Sequence, residues 1–140
     1  MKKPNLIFFI LIILLSFYCK KNSEKAIEYS NAIANEMKHL SDIEEEIALK
    51  DGPELELAII KFKKAVPESK SRIEKLGKFE DDDSLQKAAI DMCNFYEEVI
   101  DGKWSEKGQE AIQNKDEELD KELQKKQAEF AAKYKFETKK

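Results

Sequence analysis

The stretch that decides the fold is SLQKAAIDMCNFYEEVIDG, residues 84–102. Its apolar side chains recur every three or four positions, which is the period of one face of an α-helix. That inner face comprises Leu85, Ala89, Met92, Tyr96 and Val99. Asp101 and Gly102 end the pattern, because glycine is favoured just beyond a helix C-terminus. We therefore predict a helix over about 84–101, the most apolar and most buried of the chain.

Two helices of the same kind precede it. The first is predicted over about 24–50, because apolar residues recur at helical spacing until an Asp-Gly-Pro sequence at residues 51–53 ends the pattern. The second is predicted over about 54–76 and starts after Pro53, since proline is tolerated in a first helical turn. The inner face of this second helix consists of Leu55, Ile59, Phe62, Val66, Ser69, Ile73 and Leu76.

Pro67 lies inside the second of these helices. An internal proline costs about 3 kcal/mol and removes one backbone hydrogen bond, which favours a break near it. The apolar face nevertheless keeps its phase from Leu55 to Leu76. We therefore predict one kinked helix, with a split into two shorter helices as the alternative.

The connection to the 84–101 helix is acidic, with Glu-Asp-Asp-Asp at residues 80–83. A calcium-binding EF-hand loop counted from Asp81 would need glycine at its sixth place and glutamate at its twelfth, where this chain has glutamine and methionine. Acidic side chains are favoured at a helix N-terminus by the helix dipole. We therefore interpret these residues as a helix start with Asp83 or Ser84 as N-cap, and we expect Phe79 to close one end of the core.

The last third of the chain has a different character, rich in Glu, Lys, Asp and Gln with a thin apolar stripe. The stripe consists of Ile112, Leu119, Leu123, Phe130 and Tyr134. Glutamate precedes lysine by four residues, a spacing that stabilises an exposed helix face, at Glu117/Lys121, Glu122/Lys126 and Glu129/Lys133. We predict a long, mostly exposed helix over about 105–135 whose second half overhangs the bundle, and a frayed tail over 137–140.

Glycines divide the chain into helices of similar length. Gly52, Gly77 and Gly102 are evenly spaced, so the connections between helices are short, and short connections force neighbouring helices to run antiparallel. Charged residues make up 39% of the chain and glycine and proline are scarce, a composition typical of long helices. We predict an all-α fold, an up-down antiparallel four-helix bundle that forms a single domain over 24–136.

The N-terminal segment has the features of an export signal. Two lysines at residues 2–3 precede an unbroken apolar run over residues 6–15, and Cys19 closes the segment before two more lysines. The apolar run falls within the roughly 7–15 residues of a secretory signal and is shorter than the about 20 residues that a transmembrane helix needs. The segment therefore predicts export of the domain that follows it.

This segment resembles a bacterial lipoprotein signal peptide. Ser16 and Tyr18 stand where the usual lipobox has leucine and a small residue, so the resemblance is to the looser lipoboxes of spirochaetes. It implies removal of residues 1–18, a thioether-linked diacylglycerol on Cys19 with an acyl chain such as palmitate on its amino group, and a short tether over 19–23. An ordinary signal cut near Ser16 and an uncleaved anchor are the alternatives.

The charge pattern gives no footprint for nucleic acid. The formal net charge is −4, and loss of Lys2 and Lys3 with the signal makes it −6. Basic residues are not segregated onto one face, as they are in nucleic-acid-binding domains.

Cys93 is the single cysteine left once Cys19 carries lipid, so no internal disulfide is predicted. We expect Cys93 to be a small residue in or near the core, with an intermolecular disulfide as the alternative.

One pair of residues is a candidate for metal chemistry. Glu36 and His39 form a Glu-x-x-His pair on one helix face, the motif with which di-iron bundles supply half of their ligands. A dinuclear site needs a second histidine, and the chain has only His39. Among 29 aspartates and glutamates no catalytic pair can be singled out. We therefore predict no catalytic residue, no metal site and no cofactor.

Trp104 stands out among the aromatic residues, because it follows Gly102 in a predicted turn instead of lying in a helical stripe. A tryptophan there either covers the end of the bundle or belongs to a contact surface.

The chain as a whole resembles the small helical surface lipoproteins of spirochaetes such as Leptospira. The resemblance rests on an anchored Cys19, a short tether and an acidic bundle, and it implies display on a membrane face without an established activity. We expect a non-enzymatic interaction or structural protein, lipid-anchored in the cell membrane or outer membrane. Its partner would be an envelope protein, peptidoglycan or a host molecule, contacted through the fourth helix and Trp104.

Two other functions stay open. The first is a small envelope enzyme or a ligand-binding protein with a pocket between the helices. The second is a peptidoglycan link through the terminal Lys140, by similarity to Braun-type lipoproteins, whose terminal lysine is joined to the cell wall.

Overall fold

A computed structural model of the chain describes the backbone of residues 6–137 and the side chains of residues 22–137. It contains four helices: α1 (Leu6–Leu49), α2 (Gly52–Leu76), α3 (Ser84–Ile100) and α4 (Gln109–Tyr134). No strand forms among the described residues, where Phe79 and Asp82 make a single isolated bridge. The predicted all-α, four-helix class is confirmed.

The helix boundaries agree with the sequence for α2 and α3 and differ for the other two. α1 begins at Leu6, so the predicted helix start near residue 24 is wrong and the backbone of residues 19–23 is helical. Neither glycine nor proline occurs between Leu6 and Leu49, so nothing in the chain interrupts the helix. α4 begins at Gln109 instead of 105, because residues 102–107 form turns.

α2 runs without a break from Gly52 to Leu76 with Pro67 inside it, which confirms one helix and not two. Its predicted inner face is buried at Phe62, Val66, Ser69 and Ile73, and Leu55 is half-buried. Ile59 and Leu76 are exposed by 37% and 39%, so these two positions were predicted wrongly. The face that α2 buries also includes Ala58 and Ala65, whose small side chains let a neighbouring helix approach closely.

Hydrogen bonds between α1 and its neighbours pair residues in reverse order. The Tyr29 hydroxyl donates to the Gly77 carbonyl oxygen just after α2, at 2.8 Å. Farther along α1, Glu46 accepts a hydrogen bond of 2.9 Å from Lys61 in the first half of α2. The Ser23 hydroxyl donates to the carbonyl oxygen of the last residue of α4, at 2.8 Å. α1 therefore runs antiparallel to α2, and the residues near Ser23 lie beside the end of α4.

The core is built around α3. Its buried residues are Leu85, Gln86, Ala88, Ala89, Met92, Cys93, Phe95 and Tyr96. They include every position of the predicted inner face except Val99, which is half-buried. Each large apolar side chain removed from water contributes about 1.5–3 kcal/mol. α3 supplies seven of the 19 buried hydrophobic residues of the described chain, more than any other helix, in agreement with the prediction.

The second half of α4 does not overhang the bundle, and that prediction is wrong. Phe130 is 1% exposed, and its ring centroid lies 5.5 Å from that of Tyr29 and 5.5 Å from that of Phe79. The rings of Tyr134 and Phe136 complete this aromatic cluster at 4.6 Å and 6.1 Å from Phe130. Because α1 extends back beyond Tyr29, the end of α4 has a helix to pack against. Phe79 closes this end of the core, as predicted.

The acidic connection between α2 and α3 is a helix start, as interpreted. Asp83 occupies the N-cap position without making a side-chain cap bond. The capping carboxylate is that of Asp82, which accepts hydrogen bonds from the Ser84 backbone N–H at 3.0 Å and from the Ser84 hydroxyl at 2.6 Å. The residue that caps α3 is thus one position earlier than predicted.

Ion pairs along α4 follow the predicted spacing at Glu117/Lys121 and Glu122/Lys126, with N–O distances of 3.8 and 3.5 Å. The third predicted pair is wrong, because Lys133 binds Asp82 and Glu129 binds Lys126. The frayed tail was predicted over 137–140. Glu137 lies beyond α4 without regular structure, and residues 138–140, including Lys140, lie outside the described residues.

Candidate functional site

The two residues singled out from the sequence, Cys19 and Trp104, lie on different elements, the first in α1 and the second between α3 and α4. Cys19 has a helical backbone, and its side chain lies outside the described residues, so its lipidation stays a prediction. Trp104 lies in the α3–α4 turn, where its indole N–H donates to Glu98 at 3.0 Å and its ring packs edge-on against Phe95 at 5.1 Å. The Lys107 ammonium lies 4.0 Å from the Trp104 ring centroid. Trp104 therefore covers one end of the bundle, and its use as a contact surface stays a prediction.

Cys93 is completely buried in α3, as the sequence predicted for a core residue. Burial raises the pKa of its thiol to about 12, so the nucleophilic thiolate is scarce at neutral pH. An intermolecular disulfide would require this part of the bundle to open.

The carboxylate of the Glu36/His39 pair is engaged elsewhere. Glu36 accepts hydrogen bonds from Arg72 at 2.7 Å and from the buried Ser69 hydroxyl at 2.9 Å, which ties α1 to α2. Burial alone would raise the pKa of Glu36, but these two hydrogen bonds lower it. Within residues 22–137, no three histidine, cysteine or carboxylate side chains are grouped as a metal site.

A cluster of two half-buried carboxylates and a buried phenol, which we did not predict from the sequence, joins α1, α3 and α4. We call Glu44, Tyr96 and Asp116 the Glu44 cluster. The Tyr96 hydroxyl donates to Glu44 Oε2 at 2.9 Å, and Asp116 lies within hydrogen-bonding reach of the same hydroxyl. Asp116 Oδ1 is buried and receives no hydrogen bond from the described residues.

The electrostatics of the Glu44 cluster favour an added proton. Burial raises the pKa of Glu44 to about 7, outweighing the Tyr96 hydrogen bond, and the charges of Asp116 and Asp120 act in the same direction as burial. Burial also raises the pKa of Asp116. Burial and the nearby Glu44 charge raise the pKa of Tyr96, so its phenol keeps its proton. Among residues 22–137, no lysine or arginine forms an ion pair with Glu44 or Asp116.

The Glu44 cluster borders an open groove of about 520 Å³ between α1, α3 and α4. Its apolar wall is formed by Phe62, Phe95, Val99 and Ile112. The arrangement can bind a proton, or present negative charge to a cation in the groove.

A second feature is an apolar surface at the end of the bundle farthest from Cys19, which we call the distal end. Leu49, Leu57 and Ile60 are exposed by 85%, 67% and 62%. Leu57 and Ile60 are three residues apart and therefore share the outward face of α2. Beside them, a groove of about 680 Å³ is lined by the apolar side chains of Ile47, Leu55, Ile59, Phe62, Val99 and Ile100.

The sequence contains one signal for the Glu44 cluster. Ile112, Asp116 and Leu119 follow the helical spacing of the α4 stripe, so an aspartate occupies a position that should face the core. Glu44 directly follows the buried Ile43 on α1. An acidic residue in an apolar stripe is informative because a buried carboxylate needs a partner.

In comparisons with protein-family models, curated proteins and solved structures, nothing matched this chain. Across the described residues, no helix has a stretch long and apolar enough to cross a membrane.

Proposed function

We propose that this chain is a lipid-anchored, non-enzymatic protein of the bacterial envelope that docks a partner protein at its distal end. The observation that carries the proposal is the exposure of three large apolar side chains, Leu49 at the end of α1 and Leu57 and Ile60 on one face of the first half of α2. Exposed apolar side chains that form a patch are typical of protein interaction sites, whereas single exposed ones are ordinary.

The position of this surface suits an anchored protein. α1 is continuous from Cys19 to Leu49, and at 1.5 Å per residue this separates the lipid attachment point from the distal end by roughly 45 Å. A membrane held at Cys19 would therefore leave the distal end free to meet a partner.

The side chains exposed at the distal end suit a protein partner better than a glycan. Leucine and isoleucine side chains offer no hydrogen bonds to a glycan strand, but they pack against apolar side chains of another protein. Charged residues flank Leu57, where Glu46, Lys50, Glu54 and Lys61 line a shallow depression. A polar rim around an apolar centre is the usual anatomy of an interface. This choice moves the expected contact from the fourth helix to α2.

Site-specific photocrosslinking in intact cells tests the proposal. A crosslinker at Leu57 or Ile60 is expected to capture a defined protein, and a crosslinker at Ala128 or Ala132, exposed positions on α4, is expected not to capture it. The double variant Leu57→Asp/Ile60→Asp should lose the capture by a third probe at Leu49, whereas Ala128→Asp/Ala132→Asp should keep it. Capture of the same protein from both faces, or capture that the double variant leaves unchanged, would contradict the proposal.

A second candidate function, a ligand-binding protein with a site between the helices, is favoured by the groove beside the Glu44 cluster. Its carboxylates and apolar wall suit a small organic cation. Calorimetric titration of the full chain with a diamine such as putrescine at pH 8 tests it. We expect the unmodified chain to give a heat of binding and the Glu44→Gln variant to give none. The absence of a binding heat with the unmodified chain would contradict this function.

A further inference from the structure

The two halves of α4 are buried to different depths. In the second half, Phe130 and Ala131 are buried, and Lys133 binds Asp82. In residues 109–123 no side chain is fully buried, and Ile112, Leu119 and Leu123 pack against the core while only half-buried. Asp116 is the half-buried carboxylate of this first half that lines the groove with Glu44 of α1 and Tyr96 of α3.

The Glu44 cluster is one proton short of a complete set of hydrogen bonds. Tyr96 has one hydroxyl proton, which it donates to Glu44 Oε2. Asp116 Oδ1 is left buried without a donor. A proton placed on either carboxyl completes the set. A protonated Asp116 donates to the Tyr96 oxygen while Tyr96 donates to Glu44, and a protonated Glu44 donates to the Tyr96 oxygen while the Tyr96 hydroxyl turns to Asp116. The added proton also removes one of two negative charges that repel each other in a partly buried site.

No neighbouring cation takes the place of this proton. Asp120 and Glu117 face the cluster from α4, and Glu45 faces the groove from α1. On the α2 side, Lys63 shares the neighbouring groove with Glu44 and forms no ion pair with it. α3 contributes Tyr96. The surroundings are therefore acidic on α1 and α4, with a single unpaired lysine approaching from α2.

We propose that the Glu44 cluster is a proton-operated clasp: with one proton added it holds the first half of α4 against α1 and α3, and on losing that proton it releases that half. The second half of α4 stays docked, because Phe130 and its aromatic neighbours do not titrate in this range. The clasp acts on the α1–α3–α4 groove and does not depend on the docking surface of α2.

The direction of the pH response follows from the shifts at the cluster. Burial raises the pKa of Glu44 from 4.5 to about 7, and it also raises the pKa of Asp116. A carboxyl whose pKa is higher in the folded state binds its proton more tightly there, so its stabilising contribution is present at low pH. That contribution is lost as the pH rises from about 4.5 through about 7. The two groups interact, so they titrate as a pair and the clasp releases in the same interval.

Hydrogen exchange on the full chain in detergent micelles tests the clasp. After correction for the intrinsic exchange rate, protection of residues 109–120 is expected to fall about tenfold or more between pH 5 and pH 8.5, while protection of residues 126–134 stays constant. The Glu44→Gln/Asp116→Asn variant has no titrating carboxyl in the cluster, so its protection of residues 109–120 should not change over this range. Glu110→Gln, an exposed position on the same helix, should behave like the unmodified chain.

The carboxyl groups of the unmodified chain can also be titrated by carbon-13 NMR, a measurement that does not depend on the folding of any variant. One of the two carboxyls, Glu44 or Asp116, is expected to titrate well above pH 5. Titration of both below pH 5, equal protection at the two pH values, or the same loss of protection in the double variant would overturn the proposal.

Discussion

Lys133 near the end of α4 donates a hydrogen bond of 2.8 Å to Asp82 Oδ2 in the α2–α3 connection. The other oxygen of Asp82 accepts from Ser84 and so caps α3. One carboxylate therefore starts one helix and holds the end of another. Burial alone would raise the pKa of Asp82, but the hydrogen bonds from Lys133 and Ser84 outweigh it and lower the pKa to about 2.

Replacing Asp82 separates its two functions. Asp82→Asn keeps an oxygen for Ser84 and loses the charge that attracts Lys133, so we expect a loss of about 1 kcal/mol in the free energy of unfolding, because Lys133 is half exposed. Asp82→Ala also removes the cap, and its loss should be about 2 kcal/mol. Urea unfolding of the full chain in detergent at pH 6 measures both values.

The pH dependence of the Asp82 contribution provides the control. A carboxyl whose pKa is lowered by folding stabilises the protein above its ordinary pKa of 3.8, and this contribution is lost as the pH falls from 3.8 towards 2. The difference between Asp82→Asn and the unmodified chain should therefore disappear near pH 2. Asp81→Asn, at a fully exposed neighbour, should leave the unfolding midpoint unchanged. An equal effect of both variants would rule out a specific role for Asp82.

Phe130 tests the packing of α4. Phe130→Ala should lower the free energy of unfolding by about 3–5 kcal/mol, because it leaves a cavity among Tyr29, Phe79 and Tyr134. Leu57→Ala removes an apolar side chain that is 67% exposed, and it should change the free energy by less than about 0.5 kcal/mol. Denaturant unfolding compares the two. A small change in the free energy of unfolding on Phe130→Ala would instead favour the sequence prediction that the second half of α4 overhangs the bundle.

The helices could be predicted from the sequence where the chain contains residues that end a helix. Gly77 and Gly102 follow α2 and α3, and the apolar spacing between them selects the buried face, so both helices were placed within about two residues. The start of α1 was predicted wrongly because residues 6–49 contain no residue that breaks a helix. The charged residues from which we inferred a tether over 19–23 do not end a helix. Helix-ending residues act on their immediate neighbours in the chain, so their effect can be predicted from the sequence alone.

Long-range partners could not be predicted in the same way. The thin stripe of α4 gave no sign that Phe130 would meet Phe79, since their contact depends on how the α2–α3 connection folds over the bundle. Asp116 was overlooked for the opposite reason: its position in the stripe was visible, but its partners Glu44 and Tyr96 lie 72 and 20 residues earlier and are brought to it only by the fold. The Glu44 cluster is thus a product of topology.

Cys93 should resist thiol reagents while the bundle is folded. Its side chain is inaccessible and its pKa is raised to about 12, so both access and thiolate are lacking. In a Cys19→Ser chain at pH 8, labelling by a disulfide reagent should be about a thousandfold slower than in the unfolded chain, because reaction requires opening of the core. Labelling at the unfolded rate would show that α3 is exposed in solution.

Cys19 carries the prediction on which the location of the protein depends. Each buried methylene of an acyl chain contributes about 0.8 kcal/mol to membrane binding, and one chain alone gives only marginal, reversible attachment. The several chains implied by the lipoprotein resemblance would hold the domain firmly. In cells fed a clickable fatty acid, the unmodified chain is therefore expected to take up label and sediment with membranes.

Cys19→Ser should abolish both the label and the membrane retention. It should leave the unfolding of the helical domain unchanged, because Cys19 precedes the first core residue, Ala26. Ser16→Ala is the matched control, since it changes a neighbouring position and keeps the acceptor thiol. Membrane retention of an unlabelled chain would favour the uncleaved anchor. Release of an unlabelled chain into the medium or periplasm would favour an ordinary signal cut near Ser16. The distal end would then be accessible to a partner without a membrane anchor at Cys19.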